Sequence, residues 1–426
     1  MGDHPLPAPA RESASQTPSL WKRVLQSPTA RVIQNYLVLP LIGALIGSMI
    51  VGRVVDRFMG PKNYLVFVVG DASDPSTEQL MDSAANGQFK STLDDVTVTT
   101  EKLPDYGDPD RADSVAAGLQ NRSDVLMVVG HGTSTCSQRA LPHYLQSDPP
   151  IPVILTTETN PHLYTPPAPN EDRVPPVFRL FPTDDNQAEV AADFMVKQGA
   201  TSVWIIADVM NPTYSQYLAR TFLTSVYEKQ PSIKVVLWSS NVNLPANAVE
   251  KLPMDWVFFA GDWRNALVLV RQLSVIQAAK KAKVLLSDMS VDNSLLTYGG
   301  PDVEGVYLLH PLKADAFKKD GYAGVGSDAY NLASSLIDDA HEQFDRLAAQ
   351  DAPFGYRLRK LLGLHRSSDA RRVLALCMKT AVHNQTSFPA RDHTITMQQD
   401  KDRQVVRKDA SFQVWRIDHS QFVPAQ

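Results

Sequence analysis

The sequence predicts an α/β protein of two lobes, each a parallel sheet flanked by helices, preceded by one N-terminal transmembrane helix. Three observations carry this. Short apolar runs that stop at glycine or aspartate alternate with helical stretches, and the series runs twice. Strands alternating with helices imply parallel sheets covered on both faces. Val32–Gly52 (VIQNYLVLPLIGALIGSMIVG) holds 21 residues with no formal charge between Arg31 and Arg53, enough for a helix to span a hydrocarbon core of about 30 Å. The charge divides at the same place: residues 1–62 carry seven Lys/Arg against three Asp/Glu, and the remainder 34 against 43.

Taken in order, residues 1–31 are rich in Pro, Ser and Ala and read as a disordered basic tail. The transmembrane helix is placed at 32–55. A cleaved signal has a shorter apolar stretch followed by a small-residue site, whereas VGRVVDRFMG follows here, so an uncleaved anchor is expected. Four basic residues before the helix against three just after leave its orientation open.

NYLVFVVG (63–70) reads as a buried parallel strand. A helix is expected over 76–90, a strand over 95–102, a helix over 110–120 and strands at 124–130 and 153–156. The second series runs helix 185–199, strand 202–207, helix 214–229, strand 234–238, strand 256–261, helix 263–281, strand 283–287 and strand 305–309. Helices follow over about 326–349 and 368–383. Two strands, 393–398 and 411–417, are expected to close the chain as a hairpin around a charged turn, QQDKDRQVVRKDA.

A net charge of −5 speaks against nucleic-acid binding. No G-x-S-x-G elbow, Walker phosphate loop or H-E-x-x-H motif is present, and Cys136 and Cys377 have no C-x-x-C partner. No enzyme, metal site or cofactor is expected. In open α/β sheets, ligands bind beyond the carboxyl ends of the strands. The loop after strand 124–130, His131–Gln138, brings Ser134 and Thr135 to a helix start, which suits a carboxylate or a plain N-cap. Thr157, Glu158 and Thr159 follow the next strand. Tyr214 follows the strand at 202–207, and Asp208, Asp262 with Trp263, and Asp288 stand at strand ends of the second series. Together these three acids suit an ammonium group; singly, each suits a helix cap.

GHGTSTCSQRALPHY, IPVILTTETNPHLY and PVFRLFPTDDNQAEVAADFM, with IIADVMNPTY, VFFAGDWRNALVLVRQL and the late FQVWRI, together resemble the type I periplasmic binding proteins. The nearest branch is the leucine/isoleucine/valine-binding proteins of ABC transporters, and the resemblance spans about 63–424 in order. It implies two lobes closing on an amino-acid-like ligand across three crossovers, with lobe 1 at 63–180 and 312–384 and lobe 2 at 181–311 and 385–426. It places Ser134 at a ligand carboxylate with Thr157 and Thr159 on the next loop, Tyr214, Asp262 and Trp263 at contacts from the second lobe, and Asp288 at the ammonium; Thr135, beside Ser134 at the helix start, is expected to join them. Glu158 stands where that family carries a small residue, which implies repulsion of a carboxylate. The expected function is a membrane-anchored, extracytoplasmic solute-binding protein working with an ABC permease or a signalling partner. The alternative is a sensor or scaffold with a partly degenerate binding lobe.

Overall fold

The computed structural model describes residues 63–87, 89, 97–165, 176–239, 254–276, 281–351, 367–390, 393–399, 405–408 and 410–425. The transmembrane helix expected at 32–55 lies outside them. Among the described residues no helix is long and apolar enough to cross a membrane.

The first series builds β1 (Asn63–Gly70), α1 (Pro75–Ala85), β2 (Thr97–Pro104), α2 (Pro109–Gln120), β3 (Val125–Gly130), α3 (Ser134–Gln146), β4 (Val153–Leu155) and β5 (Val177–Arg179). The second builds α4 (Asp184–Lys197), β6 (Ser202–Ala207), α5 (Pro212–Lys229), β7 (Lys234–Ser239), β8 (Trp256–Ala260), α6 (Trp263–Val275), β9 (Lys283–Leu286), α7 (Asn293–Gly299) and β10 (Tyr307–His310). The chain ends with α8 (Ala314–Asp351), α9 (Ser367–His383), β11 (Ser387–Pro389), β12 (Thr394–Gln399), β13 (Val405–Arg407), β14 (Gln413–Asp418) and β15 (Gln421–Pro424).

These strands form two sheets, in the order β11-β12-β13-β5-β4-β3-β1-β2 and β15-β14-β10-β9-β8-β6-β7. β1 through β5 pair in parallel, as do β6 through β10. Successive side chains on a strand face opposite sides, and both sheets use this to fill two cores. Tyr64, Val66 and Val68 of β1 pack with α1, α8 and α9, while Phe67 and Val69 pack with α2 and α3. In the second sheet Trp204 and Ile206 pack toward α6, whereas Val203, Ile205 and Ala207 pack toward α4 and α5. Burial on both faces is why these strands read as continuous apolar runs.

Three differences from the sequence reading have physical causes. The late strands do not form one hairpin: β12 pairs antiparallel with β11 and β13, and β13 adds to β5 in the first sheet. β14 instead pairs antiparallel with β10 and β15 in the second. β11, β12 and β13 therefore extend the first sheet, and the return to the second comes after β13 rather than at 385. VVR (405–407) is too short and charge-flanked to show a period, so only its pairing makes it a strand. Lastly, α8 begins well before 326 and is broken at Gly321, whose backbone sits at φ +55°, a region open to glycine. Phe317, before the break, packs in the second lobe's core; Val325 to Ala340, after it, pack in the first.

The three crossovers meet at one aromatic cluster. Phe181 lies on the crossover from β5 to α4, His310 ends β10 at the second, and Trp415 lies on β14 beyond the third. The His310 ring centre is 5.7 Å from Phe181, 5.0 Å from Phe317, 5.9 Å from Tyr322 and 4.7 Å from Trp415. His310 is fully buried, and its Nδ1 accepts the Leu312 N–H at 3.2 Å, which requires the neutral ring. Burial pushes its pKa down to about 3 from an ordinary 6.5. The unfolded chain binds this proton below about pH 6.5 and the folded chain does not. Stability from this group is therefore full at neutral pH and falls as pH drops through 6.5 toward 3, by up to about 1.4 kcal/mol per pH unit. Thermal melts of wild type and His310→Asn across pH 7.5 to 4 are expected to diverge in that direction, the wild type losing Tm faster; parallel curves would remove His310 as the cause.

Candidate ligand-binding site

The carboxyl ends of both sheets face one another, and the loops leaving them enclose a cavity of about 510 Å³, within the size range of small-molecule sites. The eight residues expected to contact a ligand line it: Ser134, Thr135, Thr157 and Thr159 from the first lobe, and Tyr214, Asp262, Trp263 and Asp288 from the second.

The first-lobe wall is built around the start of α3. Gly130 turns the chain out of β3 at φ +117°, where a Cβ would stand 1.9 Å from the Val69 carbonyl oxygen; glycine alone fits. Thr133 caps α3 by accepting the Cys136 N–H at 3.3 Å. The first amides of a helix have no intrahelical acceptor, so those of Ser134 and Thr135 remain as donors beside the cavity. Ser134 Oγ accepts the Asn160 N–H at 3.4 Å, and Thr157 Oγ1 donates to the Gly132 carbonyl at 2.8 Å.

Glu158 does not face the ligand space, contrary to the repulsion the sequence implied. It is buried at 1% exposure beneath the loops. Its Oε1 accepts the Gly132 N–H at 2.9 Å and the Ser137 hydroxyl at 2.8 Å; Oε2 accepts the Thr156 and Thr157 N–H groups at 2.6 and 2.9 Å. The Arg179 guanidinium braces the same loop from below, donating to the Glu158 and Asn160 carbonyls.

In the second lobe, Asp288 follows β9. Its Oδ1 accepts from Tyr214 Oη at 2.5 Å and Gln187 Nε2 at 2.6 Å. Burial pushes its carboxyl up to about 6 from 3.8, against those hydrogen bonds. Asp184 is fully buried, and burial followed by the proximity of Asp288 holds its carboxyl well above the usual range. Asp262 caps α6 through the Arg264 and Asn265 N–H groups; burial raises its pKa, opposed by Asn265 and Arg264. Asp208, grouped with these in the sequence, turns away: it is buried and accepts from Asn265 Nδ2 at 2.9 and 3.0 Å and from the Met210 N–H at 3.1 Å. It ties loops together instead of lining the cavity. Trp263 stacks on Tyr298 with rings 6.0 Å apart and 9° from parallel, and Arg264 lies 4.8 Å over the indole.

The lobes touch around the cavity. Thr135 donates to Asn211, Ser76 to Asp292, and Asn160 Nδ2 to the Thr213 carbonyl at 2.5 Å. Thr213 Oγ1 donates to Gln138 at 3.0 Å and Arg264 reaches Asp74 at 3.3 Å. This is a closed arrangement of two lobes.

Sequence reasoning missed Asp71, Asp74, Tyr106, Asp292 and Tyr322, which also line the cavity. Asp71 and Asp74 stand at the carboxyl end of β1, where the strand-end rule pointed, and Asp74 before Pro75 carries an N-cap signature. Asp292 caps the seven-residue α7, too short to show a period. Tyr322 reaches the site through the break at Gly321, which the Asp320-Gly321 pair signals as a turn. Cys136 and Cys377 are buried and not joined in a disulfide. Burial pushes the Cys136 thiol up to about 12, which removes it as a nucleophile.

The sequence profile of the family described as "Periplasmic binding protein" matches residues 69–350. No curated protein sequence matches the chain. Among solved structures, a leucine-binding protein from Thermotoga maritima superposes with a TM-score of 0.64 at 17% identity, over 85% of this chain and 98% of that one. An ABC-transporter solute-binding protein from R. palustris, in complex with benzoate, gives 0.61 at 15% identity over 85% and 95%. A branched-chain amino acid transporter substrate-binding protein from Streptococcus pneumoniae, in complex with isoleucine, gives 0.59 at 15% identity over 84% and 97%. At these identities the likenesses establish the fold.

Because the Asp288 carboxyl is raised by burial, the folded chain holds its proton where the unfolded chain has lost it. Its contribution to stability is greatest below about pH 4 and is lost as pH rises through about 6. Asparagine keeps an Oδ1 to accept from Tyr214 and Gln187 without a charge to desolvate. Asp288→Asn is therefore expected to raise Tm at pH 8 and to change it little at pH 4. Equal shifts at the two pH values in calorimetry would contradict the assignment.

Proposed function

The chain belongs to the periplasmic binding protein family, whose members bind ligands and are not enzymes, and on that premise we propose that it is a solute-binding protein taking a small, ammonium-bearing, amino-acid-like ligand between its lobes. The observation that carries this is the interlobe cavity itself. Helix-start amides and hydroxyls of one lobe stand across it from Asp288, held by Tyr214 and Gln187, on the other. A helix N-terminus suits an anionic or polar end, a buried carboxylate suits an ammonium, and closure excludes water from both.

We further propose that the large module sits outside the cytoplasm, tethered by residues 32–55, and delivers its ligand to an ABC permease or a signalling partner. The uncharged run of 21 residues flanked by arginines supports the tether. The R. palustris neighbour is a solute-binding protein of an ABC transporter and the Streptococcus pneumoniae neighbour a transporter substrate-binding protein, which supports the permease reading.

A melting screen against amino acids and small polar metabolites tests the binding claim, since a ligand of the folded state alone at 100 times its Kd adds about 2.7 kcal/mol. At least one compound is expected to raise Tm, and Ser134→Ala and Asp288→Ala are expected to weaken that response by tenfold or more in Kd. Silence from every compound, with both variants indistinguishable from wild type, favours a scaffold. For the tether, the full chain is expected in the membrane fraction and degraded by protease added to cells stripped of any outer barrier; a protected module would overturn the orientation.

A further inference from the structure

The cavity is unevenly charged. Among the described residues that line it are five aspartates and one arginine, with no lysine or histidine. That arginine, Arg264, is already engaged: its Nη1 lies 2.9 Å from Asp262, its Nη2 3.3 Å from Asp74, and its plane covers Trp263. No cationic side chain is left to meet an anion. The other feature that could meet one is the start of α3, where Ser134 and Thr135 line the cavity, and its positive end is offset from within. Glu158, buried directly beneath it, takes the Gly132, Thr156 and Thr157 amides and the Ser137 hydroxyl on its two oxygens. A negative group at a helix start offsets the positive end that would otherwise attract a ligand carboxylate.

We infer that the cavity selects a small organic cation, an ammonium or guanidinium compound whose net charge is positive, over a zwitterion or an anion, with Glu158 offsetting from beneath the loops the positive potential a ligand carboxylate would otherwise seek. The inference rests on the solute-binding reading and narrows its ligand class. Aromatic rings in the wall, Tyr106, Trp263 and Tyr322 among them, suit an organic cation. Among the described residues no group of three or more His, Cys, Asp or Glu is placed to hold a metal ion, so an inorganic cation is not favoured. A neutral polyol can donate hydrogen bonds to these carboxylates but offsets none of their charge.

Isothermal titration of the purified protein with agmatine, L-arginine, L-isoleucine and benzoate tests this. Agmatine or L-arginine is expected to bind at least tenfold tighter than L-isoleucine, with benzoate weakest. Raising salt from 50 to 500 mM is expected to weaken the cation several-fold, as screening requires. Asp71→Asn, which keeps an oxygen for the Ser73 contacts at 2.5 and 2.9 Å, is expected to weaken agmatine several-fold more than it weakens L-isoleucine. Glu158→Gln is expected to close the gap by about tenfold in favour of L-isoleucine; should that variant fail to fold, Asp71→Asn and the salt series decide alone. L-Isoleucine or benzoate binding as well as the cations would overturn the inference while leaving the solute-binding reading intact. No heat or Tm response from any of the four, nor from the wider metabolite screen, would overturn both.

Discussion

Everything at the cleft depends on how the chain is held where it passes between the lobes. Three crossovers converge on His310, a neutral imidazole whose Nδ1 fixes the Leu312 amide and whose ring is enclosed by Phe181, Phe317, Tyr322 and Trp415. Both cores feed this cluster, since α8 starts against the second and, after Gly321, continues on the first. The strand ends of the two sheets face each other because these segments are anchored in the same apolar place. Interiors packed this densely deform by moving between discrete arrangements, which is what a closing pair of lobes needs.

From that frame the site follows by local rules. Strand ends deliver loops, loops deliver helix starts, and helix starts want capping acids: Asp74, Asp262 and Asp292 are all N-caps. The same carboxylates that end the backbone's unmet amides also give the cavity its negative lining. Asp288 is different in kind. It caps no long helix, is buried, and is held at an elevated pKa by that burial. Perturbed carboxyls of this kind cluster at functional sites, and this one lines the cavity.

Much of this was legible in the sequence. Strands β1, β3, β6, β8 and β9 are buried on both faces, so each appears as an unbroken apolar run, and the rule that ligands sit beyond strand carboxyl ends led to eight residues that the fold brings around one cavity. What stayed hidden was set by tertiary contact. VVR at 405–407 becomes a strand only because β5 offers an edge. The orientation of Glu158 could not be read from its neighbours, because the amides it accepts come from loops 26 positions apart in the chain as well as from its own turn. Asp208 looks the same in sequence as Asp262 and Asp288, yet Asn265 claims both its oxygens.

The most direct measurement is a crystal structure of the protein purified without added ligand and again after soaking with agmatine. The account expects density for one small molecule enclosed between the lobes, its nitrogen within hydrogen-bond distance of Asp288 and its far end toward Ser134. Closed lobes with only ordered water at Asp288 in both crystals, or density seated outside the cleft, would contradict it.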